Sequence, residues 1–126
     1  MNSKEYISKA KQTESMDFQV IADRLSKKQN TRLLHAAMGI STEAGELLDA
    51  MKKHLYYGKP LDKTNLFEEV GDLFWYMAIL ADELGFDFDE AMKKNIEKLS
   101  ARYGAKFSEQ KAISRDLDKE RDVLEH

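Results

Sequence analysis

The sequence predicts an all-α protein built as a helical bundle. Apolar residues recur with helical spacing over long segments, and no run rich in Val and Ile alternates in the manner of a strand. Pro60 is the only proline, so little interrupts the helices. The length of 126 residues predicts a single domain over 1–126, with its core at about 31–107.

The helices are expected to follow one another through short connections. Five segments are predicted to be helical: 4–12, 16–28, 31–57, 63–84 and 87–103. The three long ones end at glycine signals, namely Gly58 with Pro60, then Gly85, then Gly104. Each long helix has one apolar stripe that must be buried, and short connections favour antiparallel neighbours.

The charged tail, 108–126, allows two interpretations. Its only aliphatic side chains larger than Ala are Ile113, Leu117, Val123 and Leu124. It is either a solvated, frayed end or an arm that packs on a second subunit.

Composition excludes several classes of function. The net charge of −3 and the sequence pI of about 5.6 argue against a nucleic-acid polymer as partner, since such partners usually require a basic face. Without cysteine there is no disulfide framework and no thiolate site. No apolar run has transmembrane length, so no membrane partner is expected and the plain interpretation is a soluble cytoplasmic protein.

Two short stretches of the chain nearly repeat each other. Each has two carboxylates three residues apart with a glycine before the second: Glu43, Gly45 and Glu46, then Glu69, Gly71 and Asp72. At about 100° per residue, both pairs fall on the same flank of their apolar stripes, whereas Glu68 faces outward. Antiparallel packing through the stripes would therefore bring the four acids together.

Four neighbouring carboxylates repel one another unless a cation compensates them. Mg²⁺ prefers such oxygen ligands and keeps waters for further positions, so the pattern indicates a Mg²⁺ site. Gly45 and Gly71 are expected to allow close approach of backbones there. The alternative is a solvated acidic face paired with lysines. A di-iron bundle would need Glu-x-x-His pairs, which the chain lacks.

The third long helix has hydrogen-bond donors on the corresponding flank. Asn95, Lys98 and Arg102 would suit the oxygens of a triphosphate, although a basic solvated stripe is the alternative. Candidates for contact with a base are aromatic, although such residues are more often core: Phe18, His35, Trp75 and Tyr76.

At these residues the chain resembles the all-α nucleoside triphosphate pyrophosphohydrolase superfamily, specifically its MazG-like members. The family signature Glu-x-x-Glu followed by Glu-x-x-Asp is matched at 43–46 and 69–72, with 22 intervening residues. The later Asn-x-x-Lys and Arg-Tyr elements are matched at 95–98 and 102–103. The resemblance extends from about Leu33 to Phe107.

The resemblance implies hydrolysis of nucleoside triphosphates, (d)NTPs among them, to a monophosphate and pyrophosphate. The cofactor would be Mg²⁺, with Mn²⁺ as a substitute, held by the four acids, and Glu46 would also act as the base. The implied substrate-binding residues are Asn95, Lys98, Arg102 and Tyr103. A homodimer or a dimer of dimers is implied as well. Two alternatives remain: a narrow relative acting on dUTP, dCTP or phosphoribosyl-ATP, and a non-catalytic helical oligomer that binds nucleotides.

Overall fold

The computed structural model describes residues 1–126 and confirms the all-α prediction, with no strand. The chain forms seven helices: α1 (Ser3–Gln12), α2 (Phe18–Leu25), α3 (Lys28–Tyr57), α4 (Lys63–Leu84), α5 (Phe88–Tyr103), α6 (Glu109–Ile113) and α7 (Leu117–Glu125). The ends of α3 and α4 agree with the predicted glycine signals, since Gly58 and Gly85 adopt left-handed conformations with φ of 67° and 69°. None of the helices is long and apolar enough to cross a membrane.

The two longest helices, α3 and α4, form an antiparallel hairpin. At its open end Arg32 pairs with Asp82 (2.7 Å between Nη2 and Oδ2) and with Glu83. At its closed end the connection 58–62 leads into α4, where Asp62 caps the helix by accepting a hydrogen bond from the backbone N–H of Asn65. The two helices therefore run antiparallel to each other.

Along this hairpin Gly39 of α3 lies directly against Tyr76 of α4. This glycine is buried, and a Cβ placed on it would overlap the ring of Tyr76 on α4. The aromatic ring therefore occupies the space that any other residue at position 39 would fill. This contact fixes the register of α3 against α4. The register in turn determines which residues further along the two helices face each other.

The charged tail folds back on its own chain, which neither sequence interpretation predicted. Helix α7 packs against α5, and its Glu120 is buried with a side-chain exposure of 6%. The Glu120 carboxylate accepts hydrogen bonds from Arg102 on α5 and from Arg115. A paired carboxylate can be buried where an unpaired one cannot, so these partners explain why a charged segment is ordered.

The single chain leaves most of its apolar stripes uncovered. Only five of its 126 residues are buried, and no large side chain is fully buried. Stripe residues on each long helix remain more than half exposed, as Leu48, Leu55, Met92 and Ile96 illustrate. Helix α5 packs mainly on α7 and not on the α3–α4 hairpin, so the predicted compact bundle is not completed within one chain.

Candidate metal centre

Three carboxylates from the two predicted motifs meet across the α3–α4 hairpin. Glu43 of α3 and Glu69 and Asp72 of α4 each offer an oxygen, and these oxygens all lie within 4.8 Å of one another. Three hard oxygen ligands this close can bind one divalent cation and leave further positions for water or substrate. The antiparallel packing predicted from the apolar stripes thus brings both motifs to one place.

Glu69 is the innermost of the three acids. Glu69 is only 6% exposed, whereas its neighbour Glu68 is exposed, as the helical wheel predicted. The Asn65 amide donates a hydrogen bond of 2.7 Å from Nδ2 to Oε1 of Glu69. That bond orients the Glu69 carboxylate, as the partners of metal ligands commonly do.

The electrostatics of the cluster favour a bound cation. Partial burial raises the pKa of Glu43 above its ordinary value, and a hydrogen bond shared with Glu69 raises it further. The negative charges of Asp72, Glu69 and Glu46 act in the same direction. The residues present therefore fit a divalent metal ion. The positive charge of the ion would offset the repulsion among the carboxylates that helps to raise the pKa of Glu43.

Glu46 lies next to this group but outside it. Its charge contributes to the raised pKa of Glu43, yet its side chain is exposed and is not among the three convergent carboxylates. It instead lines a cavity at the closed end of the hairpin, together with Lys53, Lys59 and Asn65. The structure therefore divides the four predicted acids into a group of three and a neighbour.

The expected close backbone approach at Gly45 and Gly71 is wrong for the single chain. A Cβ at either position would meet nothing within 4 Å. The glycine at which the two helices do approach closely is Gly39, which the sequence analysis did not single out. A wheel describes one helix alone and gives no sign of an aromatic ring arriving from another.

The predicted substrate donors on α5 lie in different surroundings. Asn95 lines an apolar groove between α4 and α5, and Lys98 is half-buried. Arg102 donates from Nε and Nη2 to Glu120, each bond being 2.6 Å long. The Tyr103 ring packs against Phe107, with 5.2 Å between ring centroids. Two donors of Arg102 are thus engaged within the chain.

Three of the four aromatic candidates for base contact, His35, Trp75 and Tyr76, cluster on the hairpin. Trp75 meets His35 and Tyr76 edge-on, with ring centroids 6.5 and 5.0 Å apart, and stays 54% exposed. Phe18 is 55% exposed as well. Tyr76 in addition packs against Gly39.

Comparison with known proteins gives the family. Residues 33–107 match the MazG nucleotide pyrophosphohydrolase domain, which is more than half of the chain. The chain belongs to that family. The match begins and ends where the sequence resemblance does and contains the three-carboxylate group. Enzymes of the MazG family are generally dependent on a divalent metal.

One curated relative is a phage protein. The chain is 32% identical over 74 residues to the Gene 37 protein of Mycobacterium phage L5. The aligned region covers 56% of this MazG-family chain and 65% of the phage protein, so the chain spans just under two thirds of that relative's length. No solved structure matches the chain.

Proposed function

We propose that this protein is a cytoplasmic, Mg²⁺-dependent hydrolase that converts nucleoside triphosphates, (d)NTPs in particular, to a nucleoside monophosphate and pyrophosphate. The observation that carries the proposal is the convergence of Glu43, Glu69 and Asp72 within the MazG match. Three oxygen ligands at one point suit Mg²⁺, or Mn²⁺ in its place, and metal-bound triphosphates are typical substrates of such sites.

The residues of the centre divide their roles according to position. Glu43, Glu69 and Asp72 hold the cation, with Asn65 orienting Glu69. When bound, the cation neutralises phosphate charge and lowers the pKa of a coordinated water. Glu46 stands at the edge of the group and is exposed, so its carboxylate can complete the metal site or take the proton from the attacking water.

The reaction is a hydrolysis at the α-phosphorus. The water oxygen forms a bond to that phosphorus while the bond to the bridging oxygen of the β-phosphate breaks, and pyrophosphate leaves with the electron pair. Glu46 accepts the proton of the water. Lys98 supplies positive charge to the substrate, and Asn95 supplies a neutral donor. Tyr103 and Arg102 also bind the substrate, Arg102 through the guanidinium donors that Glu120 leaves free.

The active form is proposed to be a homodimer or a dimer of dimers. Its support is the apolar surface that a single chain leaves open, since Leu55, Phe67 and Ile96 are each more than 60% exposed. Helix α5 packs away from the hairpin of its own chain, and the charges that act on Glu43 all belong to other acids of the motif. We therefore place the α5 donors against the acids of a neighbouring subunit.

A panel of NTPs and dNTPs incubated with Mg²⁺ tests the function, with pyrophosphate, orthophosphate and monophosphate measured separately. Pyrophosphate and monophosphate in equal amounts are expected. Phosphoribosyl-ATP is assayed beside the panel, and turnover of dUTP, dCTP or phosphoribosyl-ATP alone would instead indicate the narrow relative. Binding of nucleotides without any product would establish the non-catalytic oligomer, and a diphosphate with orthophosphate would contradict the reaction.

A further inference from the structure

The cavity that Glu46 lines adjoins the metal centre at the closed end of the hairpin. It has a volume of about 380 Å³, within the range of small-molecule sites. Its wall is mostly polar, and two of its residues connect it to the acids: Glu46, from the motif on α3, and Asn65, whose amide holds Glu69. A ligand that is bound at the three carboxylates can therefore extend directly into this space.

The cavity offers positive charge that the motif does not use. Lys53 and Lys59 line it, and the Lys59 ammonium forms no ion pair. The loop that carries Lys59 is held in place, because His54 donates from Nδ1 to the Lys59 carbonyl (2.7 Å) and the Lys59 N–H donates to the Lys53 carbonyl (3.2 Å). Lysines are compact, strongly hydrated charges that suit phosphate oxygens.

Two of the three carboxylates in the wall, those of Asp49 and Asp62, have partners of their own. Asp49 accepts from Lys53 at 2.6 Å and lies 3.4 Å from Lys52, and Asp62 is used to cap α4. Glu46, the third carboxylate of the wall, forms no ion pair. Lys53 is already paired with Asp49, so Lys59 supplies the unpaired positive charge of the cavity, and a bound anion would contact Lys59 directly with Lys53 beside it.

We infer that this cavity is the diphosphate subsite: Lys53 and Lys59 bind the β- and γ-phosphates of the substrate and then the pyrophosphate product. The inference rests on the proposed function, because only a triphosphate held at the acids would place a diphosphate here. It separates the roles of the cations, with the two hairpin lysines serving the leaving group and Lys98 serving the part of the substrate nearer the α-phosphate.

Isothermal titration calorimetry with inorganic pyrophosphate in the presence of Mg²⁺ tests the subsite in the full chain. Lys53→Ala and Lys59→Ala are each expected to weaken binding about tenfold, the loss that follows removal of a charge-assisted hydrogen bond. Lys52→Ala is the matched control, since Lys52 also pairs with Asp49 but does not line the cavity. Unchanged affinity in the first two variants, or an equal loss in the control, would overturn the inference.

Two further titrations identify the occupant. Binding of a nucleoside monophosphate with Mg²⁺ is expected to be the same in all variants, because it lacks the diphosphate. Titration with Mg²⁺ alone is also expected to be unchanged, and tighter Mg²⁺ binding in Lys53→Ala without any effect on pyrophosphate would show a cation site and overturn the inference. Lysine-dependent pyrophosphate binding without triphosphate turnover would refute the proposed function and leave the subsite standing. Triphosphate turnover together with pyrophosphate binding that does not depend on the lysines would refute the subsite and leave the proposed function standing.

Discussion

Arg102 on α5 and Glu120 on α7 form a two-point ion pair, with Nε and Nη2 of the guanidinium each 2.6 Å from a carboxylate oxygen. Both side chains are largely buried, at 14% and 6% exposure. Arg115 donates two further hydrogen bonds to the same carboxylate, 3.4 and 2.7 Å long. The pair therefore joins the C-terminal helix to the helix that carries the proposed substrate donors.

Replacing Glu120 with Gln is expected to destabilise the protein at neutral pH and to change its response to acid. The two arginines hold the pKa of Glu120 at about 2, below its ordinary 4.5. Because the folded-state pKa is lowered, the stabilisation is fully present above about pH 4.5 and is lost as the pH falls towards 2. The difference in urea-unfolding free energy between wild type and Glu120→Gln should thus shrink between pH 5 and pH 3.

The control for this measurement is Glu125→Gln, which removes an exposed ion pair with Arg121 on the same helix. An exposed pair contributes little, so its stability should follow that of wild type at every pH. A constant difference between Glu120→Gln and wild type across the range would show that Glu120 acts through packing and not through its charge.

Alanine substitutions at Gly39 and Gly45, both on α3, are expected to change the unfolding free energy in opposite directions. A Cβ at Gly39 overlaps the Tyr76 ring, so Gly39→Ala should cost about 1–3 kcal/mol of unfolding free energy through overpacking. Gly45→Ala meets nothing within 4 Å and should gain up to about 1 kcal/mol from helix propensity. Thermal unfolding of both variants gives the comparison. Equal destabilisation would mean that a second subunit packs against Gly45.

The elements along α3, α4 and α5 could be predicted because they depend on local signals. Apolar spacing gave the helices, left-handed glycines gave their ends, and the position of Glu69 relative to the stripe distinguished it from the exposed Glu68. The convergence of Glu43 with Glu69 and Asp72 then needed only antiparallel packing, which a short connection of 58–62 enforces.

What could not be predicted depends on contacts between distant residues. Gly39 was missed because its partner, Tyr76, lies 37 positions away on another helix. The tail was interpreted as frayed or intermolecular because its charges resemble a solvated segment until Glu120 meets Arg102. The role of Lys53 beside Glu46 left one weak signal, a spacing of seven residues, which places the two on the same face of α3.

Mixing inactive subunits tests where the α5 donors act. Glu69→Gln disables the acids and Lys98→Ala disables a donor, so each homo-oligomer should be inactive. If a site combines the acids of one subunit with α5 of another, a mixed dimer has one intact site and activity returns. Co-expression of two differently tagged chains and assay of the doubly purified protein measures this. No recovered activity would place acids and donor in the same chain.

Mg²⁺ is expected to stabilise the fold in the absence of nucleotide. The cation relieves the repulsion that raises the pKa of Glu43, so the melting temperature should rise with millimolar Mg²⁺ and fall with a chelator. In Lys98→Ala this response should survive, because that residue is assigned to the substrate. A melting temperature indifferent to Mg²⁺ would contradict the assembly of the metal centre.

The most direct test of the account is pyrophosphate release from a (d)NTP with Mg²⁺ by wild type, Glu69→Gln and Glu68→Gln. The two substituted residues are adjacent, but only Glu69 is buried among the converging carboxylates. Glu69→Gln is expected to abolish pyrophosphate release, while Glu68→Gln is expected to retain nearly the wild-type rate, with the monophosphate as the only other product. Equal losses in the two variants, or orthophosphate as the first product, would contradict it.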